Sequence, residues 1–344
     1  MTIRLMQVGL GQWGQNWART VVALDKRVEP VAWVEIDAAA LQQAQQHLHL
    51  PEDHCFPSLE AALEAVETDA VLITASLEGH IPSAMTALQA NKHVLMEKPF
   101  APTLEEAIQA VQLASEHERI FMISQNYRFF PAPRVAAELV HDNELGPVGA
   151  ITLDFRRYAN TAPVETHRHY HIWHPLLVDM AIHHFDLMRM ILGQEPRRII
   201  CTTYNPSWSR FVEPPAATAT IFFDGGTVVS YRGSWVSPGP QTNWAGEWRM
   251  ECAQGEITWT SRGEQEEQVQ LHPLKKRTRT IELPRLEYTD RRGSLDAFVH
   301  AIRTGQEPET SARDNLKTLT LMFAATTSAD SGQPVDIPIL APPP

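Results

Sequence analysis

Up to about residue 125, short and continuously apolar runs alternate with longer segments of helical composition. Apolar runs without polar alternation are typical of parallel strands that are buried on both faces. One of the longer segments begins with Thr103 followed by Glu106, which is the capping-box pattern of a helix start. The alternation predicts strands at 3–8, 31–34, 70–75, 93–96 and 120–124, and helices at 16–24, 38–48, 58–66, 80–90 and 103–117.

The pattern changes after residue 133, where short segments with alternating apolar and polar positions become the rule. Such alternation is typical of strands that bury one face. The segments 224–226 and 254–256 have the composition of hairpin turns. The pattern predicts helices at 134–141, 176–192, 291–303 and 312–328, and strands at 148–158, 197–204, 216–223, 226–236, 246–253, 256–260, 267–271 and 278–283.

The two patterns predict two domains, since a chain of 344 residues exceeds what one hydrophobic core usually serves. Residues 1–125 are predicted to form an α/β domain, a Rossmann fold with a doubly wound parallel sheet. Residues 126–344 are predicted to form an α+β domain with a large, open, mostly antiparallel sheet, whose C-terminal helices can pack back on the first domain. In a doubly wound sheet, ligands bind beyond the carboxyl ends of the strands.

Composition and charge narrow the classes of function. The net charge of −12 argues against a nucleic-acid surface, and we interpret the basic run 275–277 as a solvated loop. No apolar run approaches the length of a membrane helix, and the early first strand argues against a signal peptide. Cys55, Cys201 and Cys252 are scattered and lack metal-ligand spacing, which indicates reduced thiols. We therefore expect a cytoplasmic protein that binds neither nucleic acid nor a membrane.

The strand at 3–8 runs directly into the sequence G-x-G-x-x-G, and a predicted helix follows. Gly9 permits the tight turn, Gly11 lets a pyrophosphate approach the backbone, and Gly14 permits close packing of helix and strand. The N-terminus of the new helix offers unpaired N–H groups and the positive end of its dipole to phosphates. Strand, turn and helix in this order predict a dinucleotide-binding site.

Glu35 follows the second predicted strand, about 20 residues after the glycine motif, where dinucleotide-binding folds place an acidic residue. A carboxylate there accepts hydrogen bonds from the adenosine ribose and repels a 2′-phosphate. No Arg or Lys between Asp37 and His47 offsets that repulsion, so we expect NAD as the cofactor, with NADP as the less favoured alternative. Asp37 could share the ribose contact, but its place before a predicted helix favours an N-cap role.

Lys98 directly follows the predicted strand 93–96, at the strand end that faces the ligand crevice of a doubly wound sheet. Its ammonium group could donate to a substrate oxygen and stabilise alkoxide character, and burial there would lower its pKa. The alternative is a surface ion pair between Glu97 and Lys98 ahead of the loop proline Pro99.

Asp179 and His183 are four residues apart in the predicted helix 176–192, so we expect them on one helical face, with Asp186 near it. An imidazole titrates near neutral pH, and a carboxylate one turn away orients it and raises its basicity. The pair therefore predicts a general base that removes a hydroxyl proton. The alternative for His183 is a core histidine with satisfied hydrogen bonds. His184 faces elsewhere and is expected in packing or at a dimer surface.

Taken together, these motifs resemble those of the family that contains glucose–fructose oxidoreductase, inositol dehydrogenase and MocA. The resemblance extends from residue 3 to about residue 325, with the motifs in the family's order and spacing. It rests on G-x-G-x-W-G at 9–14, Glu35, His80, the segment 90–95, E-K-P at 97–99, N-Y-R-F at 126–129 and D-x-A-x-H-x-x-D at 179–186.

The resemblance implies roles for the matching residues. Lys98 matches a lysine that contacts nicotinamide and substrate, while Asp179 and His183 match the acid and the proton-accepting histidine of the family. Ala181 replaces the usual glycine of that helix, a change that favours helicity, and Ala-Ser-Leu at 75–77 replaces the usual Thr-Pro-Asn. The expected cofactor-binding residues are Gly9, Gly11, Gln12, Trp13, Gly14, Glu35, Ser76, His80, Glu97 and Lys98.

The segment 167–175 is crowded with histidines and also contains an arginine, a tyrosine and a tryptophan. We interpret it as a substrate wall, where such groups hydrogen-bond to and stack on a polyhydroxylated ligand. The alternative is a transition-metal site, but the segment contains no cysteine or carboxylate, and we expect no metal. The expected substrate contacts are Tyr127, Arg128, His169, Trp173 and His174.

These features together predict an NAD-dependent dehydrogenase that acts on a secondary alcohol of a sugar, cyclitol or related polyol. The resemblance also implies a homodimer or homotetramer built through the open face of the C-terminal sheet. One alternative is an NAD-dependent glycoside hydrolase that recycles its cofactor; the expected lack of an export signal argues against it. Another is a non-catalytic sensor of NAD or a ligand, which would not need Lys98, Asp179 and His183 together.

Overall fold

The computed structural model describes residues 2–340, and most of its helices and strands lie where the hydrophobic pattern predicts them. The strands are β1 (Ile3–Val8), β2 (Val28–Val34), β3 (Cys55–Phe56), β4 (Ala70–Ile73), β5 (His93–Met96), β6 (Phe121–Ile123), β7 (Val148–Arg156), β8 (Pro196–Tyr204), β9 (Ala216–Phe223), β10 (Val228–Ser234), β11 (Glu247–Cys252), β12 (Gly255–Thr260), β13 (Gln268–Pro273), β14 (Arg279–Ile281) and β15 (Val335–Asp336). The helices are α1 (Gln12–Thr20), α2 (Ala38–Leu48), α3 (Leu59–Ala65), α4 (Leu77–Gln89), α5 (Leu104–Glu116), α6 (Pro131–His141), α7 (Ile182–Leu192), α8 (Asp290–Thr304) and α9 (Ala312–Ser331).

The described residues form two compact units. The first contains residues 2–126 and 288–316, and the second contains residues 127–287 and 317–340. Helix α8 therefore belongs to the first unit, although it follows strands β7–β14 in the sequence.

The first unit contains a six-stranded parallel sheet with the strand order β3-β2-β1-β4-β5-β6. This is the order of a doubly wound Rossmann sheet, which confirms the predicted fold class. Its register aligns the carboxyl ends of the central strands: Val8 of β1 pairs with Val34 of β2 and with Ile73 of β4. Ile73 in turn pairs with Met96 of β5. Whatever follows these residues therefore lies along one edge of the sheet.

Local side-chain caps explain where several helices of the first unit begin. The Ser58 hydroxyl accepts a hydrogen bond from the backbone N–H of Ala61 at the start of α3. The Thr103 hydroxyl accepts one from the N–H of Glu106 at the start of α5, as the capping-box pattern predicts. Both caps satisfy N–H groups that have no partner within the helix.

The second unit contains a nine-stranded sheet with the order β14-β13-β12-β11-β7-β10-β9-β8-β15. Strands β7 and β10 pair in parallel, and the other neighbours pair antiparallel, which confirms the mostly antiparallel sheet. Along β7 every second residue is buried, and these residues are Ile151, Leu153 and Phe155. The alternation predicted from the sequence is thus the alternation between a covered and an open face.

The predicted helix 176–192 differs from the structure in its first part. Leu176–Ala181 forms a π-helical segment, in which hydrogen bonds join residues five apart, and regular α-helix begins only at Ile182. The wider turn places Leu176 against Gly233 of β10, where a Cβ atom would lie 2.9 Å from Leu176 Cδ2. Glycine at position 233 therefore provides the space for the bulge. The spacing argument that placed Asp179 and His183 on one α-helical face does not describe this segment.

A buried ion pair anchors α7 within the second unit. Arg128 Nε and Nη2 lie 2.6 and 2.7 Å from the two carboxylate oxygens of Asp186. The hydroxyl of Thr318 donates to the same carboxylate at 3.0 Å. Arg128 and Asp186 are both buried, so the pair is a bidentate interaction withdrawn from water.

Two observations bear on the expectations drawn from composition. No helix within residues 2–340 combines the length and hydropathy that a membrane span requires. Cys55, Cys201 and Cys252 are unpaired thiols, of which Cys201 is buried and the other two are partly buried.

The buried pair predicts a large stability difference between two substitutions. Asp186→Ala should lower the free energy of unfolding by about 3–5 kcal/mol, because it leaves the Arg128 guanidinium buried without its carboxylate. Arg249→Ala removes a solvent-exposed ion pair with Glu256 in the same unit and should cost less than about 1 kcal/mol. Urea unfolding followed by circular dichroism measures both. Equal losses for the two variants would contradict the anchoring role of Asp186.

Candidate active site

The residues that follow the central strands of the first unit form the predicted dinucleotide site. Gly9 follows β1, Glu35 follows β2 and Glu97 follows β5, and the register of the sheet places them at one edge. This edge is where open α/β sheets bind ligands.

The three glycines of the motif differ in what a side chain would meet. Gly9 has φ +90°, and a Cβ atom on it would lie 2.4 Å from the backbone nitrogen of Ala75. A Cβ atom on Gly14 would lie 2.0 Å from the carbonyl oxygen of Gly9. A Cβ atom on Gly11 would meet no atom of residues 2–340 within 4 Å apart from its immediate neighbours in the chain. Packing therefore requires glycine at positions 9 and 14, whereas position 11 opens onto space where a pyrophosphate fits without a Cβ atom in its way.

The N-terminus of α1 adjoins that open space. Gly11 is its N-cap and supplies no side-chain hydrogen bond, so the N–H groups of the first turn remain for a ligand. Gln12 and Trp13 are both exposed in this turn. The guanidinium of Arg291, from α8, lies 4.3 Å from the centre of the Trp13 ring. Sequence analysis missed Arg291, because nothing in the sequence links α8 to the glycine motif.

Glu35 is held in place by backbone groups. Its carboxylate accepts hydrogen bonds from the N–H of Leu10 at 2.7 Å and from the N–H of Asp37 at 3.1 Å. The Asp37 carboxylate accepts a hydrogen bond from the N–H of Ala40 at 2.9 Å, so the N-cap interpretation of Asp37 is confirmed. Glu35 thus stands next to the glycine loop in a fixed orientation, as a ribose-binding carboxylate requires.

Glu97 is buried, which rules out the alternative of a surface ion pair with Lys98. Trp17 Nε1 donates to one of its oxygens at 2.6 Å, and the N–H of Lys98 donates to the other at 3.2 Å. Burial raises the pKa of Glu97, and the positive charge of Lys98 opposes that shift. The side chain of Lys98 is partly buried, and the peptide bond between Lys98 and Pro99 is cis.

His80 connects the chain after β4 to the chain after β5. Its Nδ1 lies 2.8 Å from the carbonyl oxygen of Pro99, and its Nε2 lies 3.2 Å from that of Ala75. The ring is buried, and this burial lowers its pKa. Ser76, the residue before α4, is exposed and makes no side-chain cap. The two predicted cofactor residues therefore have different surroundings. His80 holds the backbone at Ala75 and Pro99, whereas Ser76 faces solvent.

In the second unit, His183 packs against Tyr127. The two rings are stacked, with centroids 4.2 Å apart and an interplanar angle of 17°, and both residues are buried. Tyr127 begins the second unit, and His183 lies in the first turn of α7. Stacking fixes the plane of the imidazole ring, which a proton acceptor needs in order to keep one orientation toward a substrate.

Asp179 lies in the π-helical segment and faces the histidine-rich loop. Its Oδ2 is 3.3 Å from Nε2 of His169, and both side chains are partly exposed. The His169 ring also makes edge contacts with Phe211 and Trp235, at 5.3 and 4.9 Å between centroids. His169, predicted to contact substrate, is therefore the neighbour of a predicted catalytic carboxylate.

Other predicted substrate residues have protein partners. His174 is buried, with Nε2 2.9 Å from a carboxylate oxygen of Asp330, and Arg128 is held by Asp186. Trp173 is 49% exposed and remains accessible to a ligand. Across residues 2–340, His, Cys, Asp and Glu side chains form no group of three or more with a metal-binding arrangement.

His184 belongs to the interior of the second unit. Its Nδ1 lies 3.2 Å from the hydroxyl of Tyr231, and its Nε2 lies 3.0 Å from the carbonyl oxygen of Trp244. Burial lowers the pKa of His184 to about 4, so the ring is neutral at physiological pH. Of the two expectations for His184, the structure confirms packing.

Comparison with protein-family models assigns both parts of the chain. Residues 3–125 match the oxidoreductase family with an NAD-binding Rossmann fold, under the model name GFO_IDH_MocA. Residues 137–337 match the C-terminal alpha/beta domain of the same oxidoreductase family.

Similar proteins extend over nearly the whole chain. The uncharacterized protein y4oX of Sinorhizobium fredii is 26% identical over 98% of this chain and 96% of its own length. D-apiose dehydrogenase of Paraburkholderia graminis is 26% identical over 96% of this chain and 88% of its own length. The crystal structure of aldose-aldose oxidoreductase from Caulobacter crescentus, complexed with glycerol, has a TM-score of 0.83 at 20% identity and covers 98% of this chain and 100% of that one. At this identity the structural similarity shows a shared fold.

The glycine geometry predicts opposite effects for two alanine substitutions. Gly14→Ala should destabilise the protein by about 1–3 kcal/mol or more, because its Cβ atom meets the backbone of Gly9. Gly11→Ala should leave the melting temperature unchanged but weaken NAD binding by about tenfold, because its Cβ atom enters only the open space. Thermal melts and NADH fluorescence titrations measure the two effects. Wild-type NAD affinity in Gly11→Ala would contradict a pyrophosphate site at position 11.

Proposed function

Since the chain belongs to the GFO_IDH_MocA oxidoreductase family, with its NAD-binding Rossmann domain, we propose that it is an NAD-dependent dehydrogenase of a sugar, cyclitol or related polyol. The observation that carries the proposal is the glycine loop, where packing closes positions 9 and 14 and leaves position 11 open. A sugar as the substrate is supported by D-apiose dehydrogenase and aldose-aldose oxidoreductase among the similar proteins, and a secondary alcohol as its reacting group is part of the proposal.

The residues of the first unit fit a dinucleotide. The N–H groups at the start of α1 would bind the pyrophosphate beside Gly11, and Glu35 would accept hydrogen bonds from the adenosine ribose. Gln12 and Trp13, exposed in the first turn, would flank it, as would Ser76 at the start of α4. His80 and Glu97, both buried, would act by fixing the chain after β4 and β5. A bound nicotinamide would supply the acceptor for the hydride that leaves the substrate carbon.

We assign the proton and charge steps to three side chains. His183, held flat against Tyr127, takes the proton of the substrate hydroxyl. Lys98, whose backbone is fixed by Glu97, donates a hydrogen bond to the same oxygen and stabilises the negative charge that develops on it. Asp179 acts electrostatically, since a carboxylate on the segment preceding α7 favours the protonated state of a neighbouring imidazole.

A homodimer or homotetramer built through the C-terminal sheet is part of the same proposal. On β8, Ile200 is 43% exposed and Tyr204 is 36% exposed, so this strand presents apolar side chains to solvent. Exposed apolar groups of this size on a sheet face are typical of a surface that a second copy covers.

The assignment predicts a loss of turnover without a loss of cofactor binding. Lys98→Ala and His183→Ala should each lower kcat by about 10²- to 10⁴-fold, the usual contribution of a positioned proton-transfer or charge-stabilising group. The exposed residues Lys26 and His300 provide matched controls, and their alanine variants should keep wild-type turnover. A screen of sugars, inositols and sugar acids for NADH absorbance first selects the substrate, and NADH fluorescence measures cofactor binding. Turnover within a few-fold of wild type in both variants would refute these roles.

Glu35 predicts the choice between the two nicotinamide cofactors. Glu35→Gln keeps the size of the side chain and removes the charge that repels a 2′-phosphate, so the ratio of kcat/KM with NADP to that with NAD should rise by about tenfold or more. Asp37→Asn is the matched control, because Asn also caps a helix and position 37 is exposed. An unchanged ratio in Glu35→Gln would show that Glu35 does not select NAD.

A further inference from the structure

Arg157 follows directly after β7, on the covered face of the second unit's sheet. Side chains alternate between faces along a strand, so Arg157 shares the side of Phe155. The Phe155 ring contacts His184 and Trp235, with centroids 5.1 and 5.3 Å apart. The backbone N–H of Arg157 donates a hydrogen bond to the carbonyl oxygen of Ser234, which continues the pairing with β10 past the end of β7. Arg157 is therefore placed by the sheet, not by a mobile loop.

The guanidinium group of Arg157 is partly buried but has no acidic partner. It lies 4.0 Å from the centre of the Trp244 ring, and its Nη1 donates to the side-chain oxygen of Gln241 at 3.1 Å. Its Nε is enclosed and has no hydrogen-bond partner among residues 2–340. Within the same part of the chain, no carboxylate lies within ion-pair distance of Arg157, whereas Arg128 has one carboxylate partner and Arg262 has two.

An arginine in this position is unusual on energetic grounds. Removing a guanidinium group from water costs free energy unless a carboxylate or another hydrogen-bond acceptor compensates its charge. Contact with Trp244 holds the guanidinium plane, and Gln241 accepts a hydrogen bond from Nη1, but neither group neutralises the positive charge. Nη2 has no hydrogen-bond partner among residues 2–340 and is not enclosed, so the Nη1–Nη2 end of the guanidinium is the part that an acceptor on a ligand can reach.

Trp244 connects Arg157 to the helix that carries the proposed base. The carbonyl oxygen of Trp244 lies 3.0 Å from Nε2 of His184, the neighbour of His183 in the chain. The Trp244 ring is 47% exposed, so part of its surface remains accessible beside the guanidinium. Arg157 and the start of α7 thus lie on either side of one tryptophan.

A second line of contacts leads from Trp244 to Asp179. The rings of Trp244 and Trp235 have centroids 6.1 Å apart, and Trp235 meets the ring of His169 at 4.9 Å. His169 Nε2 lies 3.3 Å from the Asp179 carboxylate. Arg157 is thus joined to Asp179, one of the second unit's proposed catalytic residues, through Trp244, Trp235 and His169.

Tyr127 provides an independent indication of the same neighbourhood. Burial lowers the pKa of Arg157 from its ordinary value. The phenol of Tyr127 acts in the opposite direction and raises the pKa of Arg157. Tyr127 is the residue whose ring stacks on His183.

We propose that Arg157 binds a carboxylate of the substrate, with Trp244 as the surface on which the substrate's carbon skeleton rests, so that the substrate is an acidic sugar or polyol rather than a neutral one. The planar guanidinium matches a carboxylate with two parallel hydrogen bonds, which fixes orientation as well as affinity. An anion bound there also supplies an acceptor for Nη2 of Arg157, which has none among residues 2–340. This inference rests on the proposed dehydrogenase function and narrows its substrate class.

The test compares acids with neutral compounds of the same carbon skeleton. D-glucuronate, D-galacturonate and D-gluconate are paired with D-glucose, D-galactose and D-glucitol, and a hexose phosphate forms a separate arm. Calorimetry measures binding to the full-length protein in the presence of NAD, and NADH absorbance measures kcat and KM. At least one acid should bind and react better than its neutral partner by about 10- to 100-fold, the factor of one charge-assisted hydrogen bond.

Variants separate the charge of Arg157 from its packing. Arg157→Gln should remove the preference for the acid through KM, about 10- to 100-fold, with little change in kcat, while Arg157→Lys should restore part of it. Arg285→Gln, which neutralises an exposed arginine in the same unit, should behave as wild type. Thermal melts verify that each variant folds, and calorimetry on Lys98→Ala should still show acid binding without turnover.

Each outcome decides one of the two proposals. Preferential turnover of neutral sugars, binding of the hexose phosphate alone, or acid binding that survives Arg157→Gln would overturn the carboxylate site. Absence of acid binding and of turnover across the panel would overturn it as well. Acid binding that depends on Arg157 without any NADH formation would support the anion site and refute the dehydrogenase function.

Discussion

The close approach of α1 to the end of β1 is the constraint on which the first unit depends. The backbone of Gly9 and the α-carbon of Gly14 are so near that any side chain at position 14 would overlap the Gly9 carbonyl oxygen. A buried polar network holds this contact. The Thr74 hydroxyl lies 2.7 Å from that same carbonyl oxygen, and the side-chain amide of Gln7 donates to Gly14 O at 2.8 Å and to Thr74 Oγ1 at 3.0 Å. These three hydrogen bonds tie the glycine loop to β1 and to the end of β4, so the loop keeps its shape, and the N–H groups at the start of α1 remain for a ligand.

Most of the fold could be predicted because its signals are local. Helix α2 has the bounds that the sequence predicts, and its N-cap Asp37 was identified by position alone. The glycine motif could be interpreted because the backbone requires glycine at positions 9 and 14, while position 11 borders open space. The strands Cys55–Phe56 and Val335–Asp336 were missed, since two residues carry no periodicity and each strand pairs only at the edge of a sheet. Their existence depends on a neighbouring strand, not on their own sequence.

The side-chain pairs of the candidate site could not be predicted, because their members are far apart in the sequence. Nothing local to Arg128 indicates Asp186, and nothing local to His174 indicates Asp330, so both were expected to face substrate. The π-helical segment belongs to the same class of features. Its first residue, Leu176, packs against Gly233 in a strand more than fifty residues later, a contact that no local pattern indicates. Asp179 therefore lies in a π-helical segment and not in the regular helix that the spacing predicted, and the catalytic roles of Asp179 and His183 stay a prediction.

The contrast between Arg128 and Arg157 shows how burial separates structural from ligand-binding charges. Both arginines belong to the second unit, but only Arg128 contacts the helix that carries His183, through Asp186. Arg128 meets a carboxylate with both ends of its fork, and a hydroxyl from α9 completes the site, so this charge is compensated within the protein. Arg157 meets an amide oxygen and the face of an indole ring, neither of which neutralises it. A protein with 41 acidic and 29 basic residues has carboxylates in excess, so an arginine without one on a covered sheet face is not explained by a shortage of acids. The charge of Arg128 is thus compensated within the protein, whereas the proposed substrate carboxylate would compensate that of Arg157.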